Sequence, residues 1–165
     1  IKSVASIFTL NESGIKNSVI LNYDTKLNDL CLWHQQLLAE SLGKNKKGIT
    51  PSISTCPKDH HSLMQLYLDG PKDKFFTFLS SSPNKNKKIE LVIGAQCNAT
   101  KNIFKKNKIP SRQFIFKKNS EDELGSIFTF FVLETILLAH LMKVNPYDQP
   151  AVEQIKIETN KYLKL

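Results

Sequence analysis

Short β-prone runs alternate along this chain with segments of helical periodicity, and that alternation constrains the fold more than any other feature. Residues 18–21 form the first β-prone run and end at Asn22-Tyr23-Asp24. Leu27, Leu30, Cys31, His34, Leu37, Leu38 and Ser41 then recur at the spacing of one helix face. Asp24 or Thr25 is expected to cap this helix, and Gly43 to end it. Residues 48–54 read as an extended return. Asp59 is expected to cap a second helix running to Leu68 and closed by Gly70-Pro71. Residues 74–79 (K-F-F-T-F-L) read as a strand. Residues 88–93 fit either a strand or the lead-in to a helix over 95–107, which Ile109-Pro110 stops. Residues 112–117 are the last strand, and Ser120-Glu121-Asp122-Glu123 is a capping box opening an apolar helix to Lys143. Asn145-Pro146 breaks that helix, and Pro150 sits in the first turn of a final one reaching about Tyr162. Strands alternating with helices imply an α/β fold whose mostly parallel sheet is covered on both faces, with active residues at strand ends and helix starts.

At 165 residues the chain suits one domain, burying about 68–70% of its unfolded surface. Hydrophobic content of 41%, with ten Phe, argues for a packed body rather than disorder. The chain opens at Ile1 with neither Met nor a leader-like stretch, so it reads as a piece of a longer protein. A net charge of +8 raises nucleic-acid binding, but Arg112 is the single Arg among 23 basic residues. Arg is the residue that forks onto phosphates and guanine edges. The Lys clusters at 44–47, 85–88 and 105–108 lie beside Gly, Pro or Asn and read as solvated turns, so no nucleic-acid partner is expected. Cys31, Cys56 and Cys97 are odd in number and widely spaced, which fits a reducing cytoplasm and neither a disulfide framework nor a zinc site. The apolar stretch 127–142 contains Glu134 and His140, and reads as a buried helix rather than a membrane span.

Three segments carry chemistry. Glu40 lies near the C-terminal end of its helix, where the backbone dipole and burial would raise its pKa and favour a base working near neutrality. Gln36, four residues earlier, shares its face. His60 and His61 are expected to open a helix whose N–H groups attract hydroxyl-rich ligands, with Asp59 orienting an imidazole or only capping. Gln149 and Lys156, seven residues apart, share a face of the last helix, with Glu153 able to pair with Lys156. Ser80, Ser81 and Ser82 follow a strand and offer a phosphate cradle or simply a polar turn. Taken singly, a helical Glu is ordinarily a solvated surface residue, a His pair a surface cap, and a terminal Lys a solvated charge. Taken together, a carboxylate, an imidazole, an ammonium and two amides suffice to move a proton between neighbouring carbons of a sugar.

The segments also match one family, in order. Y-D-T-K-L, W-H-Q-Q-L-L-A-E-S-L-G-K, D-H-H-S-L-M-Q-L-Y-L-D-G-P-K-D-K and N-P-Y-D-Q-P-A-V-E-Q-I-K resemble the C-terminal half of bacterial glucose-6-phosphate isomerases, from about Val19 to Leu163. The resemblance implies a three-layer αβα sandwich with a flavodoxin-like sheet, spanning 1–165 as a single C-terminal sugar-isomerase domain. It implies interconversion of glucose 6-phosphate and fructose 6-phosphate without metal or organic cofactor. Glu40 would carry the proton between C2 and C1 through a cis-enediol, and His61 would open the ring from the partner subunit of a homodimer. Lys156 would assist at the ring oxygen, and Gln36 and Gln149 would hold substrate. His60 stands where the family usually has Gln, so the choice of His61 follows its alignment with Ser62 and Gln65. Ile155 replaces a Gly usual before the final lysine. The family's phosphate-binding Ser and Thr, and its glycine-rich segment with an Arg, belong to a preceding domain. Two other readings stand beside this one: a sugar-phosphate-binding regulatory domain without chemistry, and a bifunctional relative that also acts on mannose 6-phosphate. Glu40 together with His61 and Lys156 separates an enzyme from a sensor.

Overall fold

The computed structural model describes residues 1–163. Four parallel strands form one sheet in the order β2-β1-β3-β4. They are β1 (Asn17–Asn22), β2 (Thr50–Thr55), β3 (Lys74–Ser81) and β4 (Ser111–Phe116). Asn17 lies opposite both Thr50 and Lys74, and Phe76 opposite Ser111. The helices are α1 (Lys2–Glu12), α2 (Asn28–Leu42), α3 (Met64–Asp69), α4 (Lys88–Lys106), α5 (Glu121–Met142) and α6 (Pro150–Leu163). The expected α/β sandwich is the one observed.

Strand pleating explains the two buried faces. Along β1, Val19 and Leu21 point to one side, where Phe76, Phe78, Phe104, Tyr67 and Cys97 join them beneath α3 and α4. Ile20 points to the other side and packs with Leu30, Cys31, Leu79, Phe116, Ile127 and Phe131 of α2, α5 and the strands between. Covered on both faces, the central strands read as continuous apolar runs rather than alternating ones, as β3 does over Phe75-Phe76-Thr77-Phe78-Leu79. A further cluster joins Val4 and Ile7 of α1 to Leu38, Leu42, Phe75, Leu138 and Met142.

Several local signals act as anticipated. The Asp24 side chain accepts from Lys26 N and so caps the 3-10 turn Thr25–Leu27 that leads into α2, whereas α2 itself starts after Leu27 without the side-chain cap expected of Asp24 or Thr25. Gly43 ends α2, and a Cβ there would stand 2.6 Å from the Ala39 carbonyl oxygen. Ser120 accepts from Glu123 N at 3.3 Å, but the Glu123 carboxylate takes the N–H groups of Lys117 and Lys118 rather than that of Ser120. The capping box is therefore half formed.

Other readings need correction. Residues 88–93 belong to α4, whose face toward the sheet continues through Ile93, Cys97 and Phe104. Helix α1, which no periodicity in the sequence announced, is held by Val4, Ile7 and the buried Asn11, whose amide reaches the carbonyls of Ile15 and Gly48. Ser80 and Ser81 lie inside β3, so only Ser82 follows the strand. Helix α5 is buried on one face alone, and Leu133, Leu137 and Leu141 on the other are 54%, 41% and 45% exposed. Asp59 caps no helix, because residues 58–60 form a 3-10 turn and α3 starts only at Met64.

A buried ion pair anchors α5 to the sheet. The Arg112 guanidinium forks onto Glu134, with Nη2 to Oε2 at 2.8 Å, while its Nε donates to Thr77 Oγ1 at 3.0 Å. The same guanidinium lies 5.1–5.9 Å from the ring centres of Phe75, Phe114, Phe130 and Phe131. Ser3 of α1 donates to Glu134 and accepts from Arg112 Nη1, each at 2.7 Å, so Arg112 of β4 ties α1, α5 and β3 to its own strand. Its guanidinium is engaged with the fold through these contacts.

Candidate functional site

Parallel βα connectivity sorts the candidate residues between two edges of the sheet. Helix α2 starts beyond the carboxyl end of β1 and runs back, so its last turn and the loop to Thr50 lie at the amino edge. Helix α5 runs back in the same way, which brings residues 143–149 to the same edge. Gln36, Glu40 and Gln149 thus gather on the amino side. His60 and His61 follow the carboxyl end of β2 and lie on the opposite side.

At the amino edge, Gln36 Nε2 donates to Glu40 Oε1 at 2.9 Å, the i, i+4 contact expected of a shared face. Glu40 is half-buried and Gln36 exposed. One turn beyond Glu40, Lys44 pairs with Asp148 at 3.0 Å and donates to the Asn145 carbonyl, with only 9% of its side chain exposed. Lys47 donates to the Met142 carbonyl at 2.8 Å. These lysines staple the α2–β2 loop to the α5–α6 loop, and the Lys44 hydrogen bond holds the Asp148 carboxyl below its usual range. The sequence alone presents Lys44 as part of a solvated turn. Its signal lies in the K-N-K-K run, which does not reveal which lysine turns inward.

Helix α6 follows with no buried residue among those described. Lys156 pairs with Glu153 at 2.5 Å, three residues back on the same exposed helix. Tyr147, Asp148, Gln149, Pro150, Glu153 and Lys156 line an open polar depression of about 350 Å³. Among the described residues no hydrogen bond or ion pair joins Glu40 to Gln149 or Lys156. The structure brings Gln149 and Lys156 together, and Gln36 with Glu40.

At the carboxyl edge the two histidines differ. His60 Nε2 lies 2.7 Å from the hydroxyl of the buried Tyr23. Burial pushes the Tyr23 phenol above its usual range, and burial followed by the neighbouring His61 pushes His60 down. Both shifts favour the uncharged forms, so the Tyr23 hydroxyl and a neutral His60 share one hydrogen bond whose donor follows the ring tautomer. His61 is exposed, and its ring has no hydrogen-bond partner among the described residues. Asp59 orients neither ring: its two oxygens accept from Thr55 N at 2.8 Å and Ser62 Oγ at 3.0 Å. With six-residue β2 between them, the Glu40 and His61 ends of the sheet stand roughly 20 Å apart. A chain of this shape presents a carboxylate–amide pair at one edge and an unengaged imidazole at the other.

No protein-family model matches the sequence. The chain is 34% identical over 164 residues to the glucose-6-phosphate isomerase of Methanocaldococcus jannaschii, an overlap covering 90% of this chain and 41% of that protein. It is 37% identical over 150 residues to the probable glucose-6-phosphate isomerase of Methanococcus maripaludis, covering 82% and 34%. With the glucose-6-phosphate isomerase of Mycoplasmopsis synoviae the identity is 33% over 174 residues, covering 93% and 40%. The chain thus spans about two-fifths of the length of these relatives. A solved structure of a hypothetical protein from Thermus thermophilus superposes with a TM-score of 0.86 at 24% identity, over 98% of this chain and 44% of that one. A glucose-6-phosphate isomerase from Chlamydia trachomatis superposes with a TM-score of 0.81 at 16% identity, over 96% and 37%. At those identities the two superpositions show the fold.

Proposed function

Since this chain belongs with the glucose-6-phosphate isomerases over the part of their length that it spans, we propose that it carries the proton-transfer half of an aldose–ketose isomerase centre. The substrate pair is glucose 6-phosphate and fructose 6-phosphate. Glu40 takes the proton from C2 of the open-chain sugar, giving a cis-enediol, and returns it to C1, while the hydroxyl proton at O2 leaves and O1 gains one. Carbon oxidation is merely exchanged between C1 and C2, so the chemistry requires no external oxidant or redox cofactor.

The observation that carries this reading is the setting of Glu40. It is half-buried in the last turn of α2 and oriented by Gln36, with Lys44 holding the loop that bears Gln149. An oriented carboxylate reaches a near-attack position more often than a freely rotating one. Gln36 and Gln149 are assigned to the sugar hydroxyls and Lys156 to the ring oxygen, which requires Lys156 to leave Glu153. His61 lies on the far edge from Glu40, which supports its service in a second subunit's centre, where the imidazole opens the ring. Phosphate recognition is assigned to the part of the relatives that this chain does not span.

One observation favours the competing reading of a sugar-phosphate sensor without chemistry, namely the engagement of Lys156 with Glu153 on an unpacked helix. Glu40→Gln decides between them. In an active isomerase containing this chain it should abolish exchange of the C2 proton with deuterated solvent while leaving sugar-phosphate binding within a few-fold. Exchange persisting near the parental rate would remove Glu40 as the base.

A further inference from the structure

The sheet has a second opening that the isomerase reading leaves unused. From β1 the chain crosses to β2 on one side, and from β2 it crosses back to β3 on the other. The carboxyl ends of β1 and β3 therefore flank a topological switch point, the place where open parallel sheets bind ligands. A crevice of about 270 Å³ lies there, reaching from Tyr23, Asp24 and Lys26 after β1, past Ser80, Ser81 and Ser82, to Asn119. Cys56 and Cys97, both buried, also line it, and α4 contributes Glu90, Ile93 and Gly94. Gly94 keeps the wall open, since a Cβ at that position would come within 3.3 Å of Pro83 Cγ.

The polar groups converge in a specific way. Ser81 Oγ bonds Asp24 Oδ2 and also lies 2.8 Å from the Asn119 side-chain oxygen. A hydroxyl has one proton, and ionised Asp24 can only accept, so the proton goes to Asp24. Asn119 then turns its NH2 to Ser81, an orientation set by the hydrogen-bond network. What remains for a ligand is a free lone pair on each Asp24 oxygen, the second N–H of Asn119, the Ser82 hydroxyl and the Lys26 ammonium. Glu90 is already occupied by Asn84 N and Lys87. Acceptors beside donors, backed by an apolar wall, match neighbouring hydroxyls on a carbon ring. With Glu90 paired to Lys87, Asp24 faces the Lys26 ammonium alone, so the crevice carries no net positive charge to hold a phosphate dianion.

We propose that this crevice binds an unphosphorylated monosaccharide or polyol, with Asp24 and Asn119 clasping adjacent hydroxyls, at the sheet edge opposite Glu40. The proposal does not depend on the isomerase assignment, because none of its residues takes part there.

The test is a titration of the full isotope-labelled chain with methyl α-D-glucopyranoside, which can neither isomerise nor carry a phosphate, followed by amide NMR shifts. Shifts confined to Asp24, Ser81, Ser82 and Asn119 are expected, with glucose 6-phosphate at equal concentration moving them at least ten-fold less. Asp24→Ala should raise the dissociation constant ten-fold or more. Because Asp24 also starts the turn into α2, Asn119→Gly is the second variant: Asn119 has φ 51°, which glycine adopts freely, and its loss should weaken binding several-fold with the spectrum otherwise intact. Equal shifts with the phosphate ester, shifts centred on Glu40 and Lys156, or no shifts at 100 mM sugar would each overturn the proposal.

Discussion

Glu40 and His61 stand at opposite edges of one sheet: Glu40 closes α2 just before β2 enters, and His61 follows where β2 leaves. Six strand residues separate the two ends, roughly 20 Å of extended chain. Neither side chain reaches across that span, so the centre proposed above, which uses both, must draw them from two chains.

Subunit mixing tests this relationship. In an active isomerase containing this chain, Glu40→Gln and His61→Ala subunits should each be inactive alone. On the proposed two-fold dimer, refolding them together in equal amounts should leave about half of the dimers mixed, each with one centre carrying both defects and one carrying neither. Roughly a quarter of parental turnover should return. A verified mixture as inactive as its parents would place His61 within its own subunit's centre or outside the chemistry.

The 165-residue chain by itself should show little or no isomerisation in a coupled assay. Binding of a remote phosphate normally supplies part of the positioning at the reacting carbons, and the chain spans only about two-fifths of its relatives. Turnover comparable to an intact isomerase would show that this chain positions its substrate unaided.

Arg112→Met should destabilise the fold by about 3–5 kcal/mol, because it strands the Glu134 carboxylate, which is 4% exposed. Combining it with Glu134→Leu should recover most of that loss, since both charges then leave the core together. Urea unfolding of the two single variants and the double measures the coupling. Additive losses would mean that the pair is not a unit.

His34 sets an acid limb of stability. Its ring lies 4.2 Å from that of Phe131, is 3% exposed, and leaves Nδ1 without a partner. Burial above all, then Arg112, pushes it down to about 4, with Glu134 opposing. A His whose folded pKa is depressed stays neutral in the fold but takes a proton when unfolded. Stability is therefore full above pH ~6.5 and falls as the pH drops toward 4, by on the order of 3 kcal/mol. His34→Leu should flatten that limb in urea titrations at pH 7 and 4.5. An unchanged slope would assign the limb to other groups.

What the chain dictated by itself was local. The β-prone run at 18–21, the apolar period from Leu27 to Ser41, the phenylalanines of β3, the breaks at Gly43 and Pro110 and the Ser120 cap each depend on neighbours within a few residues, so the α/β class and most elements, α1 excepted, could be read directly. The shared face of Gln36 and Glu40 follows from helix geometry alone. Position in space was decided elsewhere. Asp59 met Thr55 and Ser62 instead of a helix, and His60, not His61, was taken up by Tyr23, thirty-seven residues away. Lys44 turned inward because Asp148 waited at the same edge, whereas Lys156, on a helix with nothing packed against it, stayed with Glu153. The strand order β2-β1-β3-β4 is set by long-range parallel pairing between runs of similar composition, and no local pattern encodes it. That order opened the crevice between β1 and β3, while β2, folded into the sheet between them in the chain, put Glu40 and His61 on opposite edges. Periodicity tells a residue which face it occupies, and only the packed sheet tells it which other residues share that place.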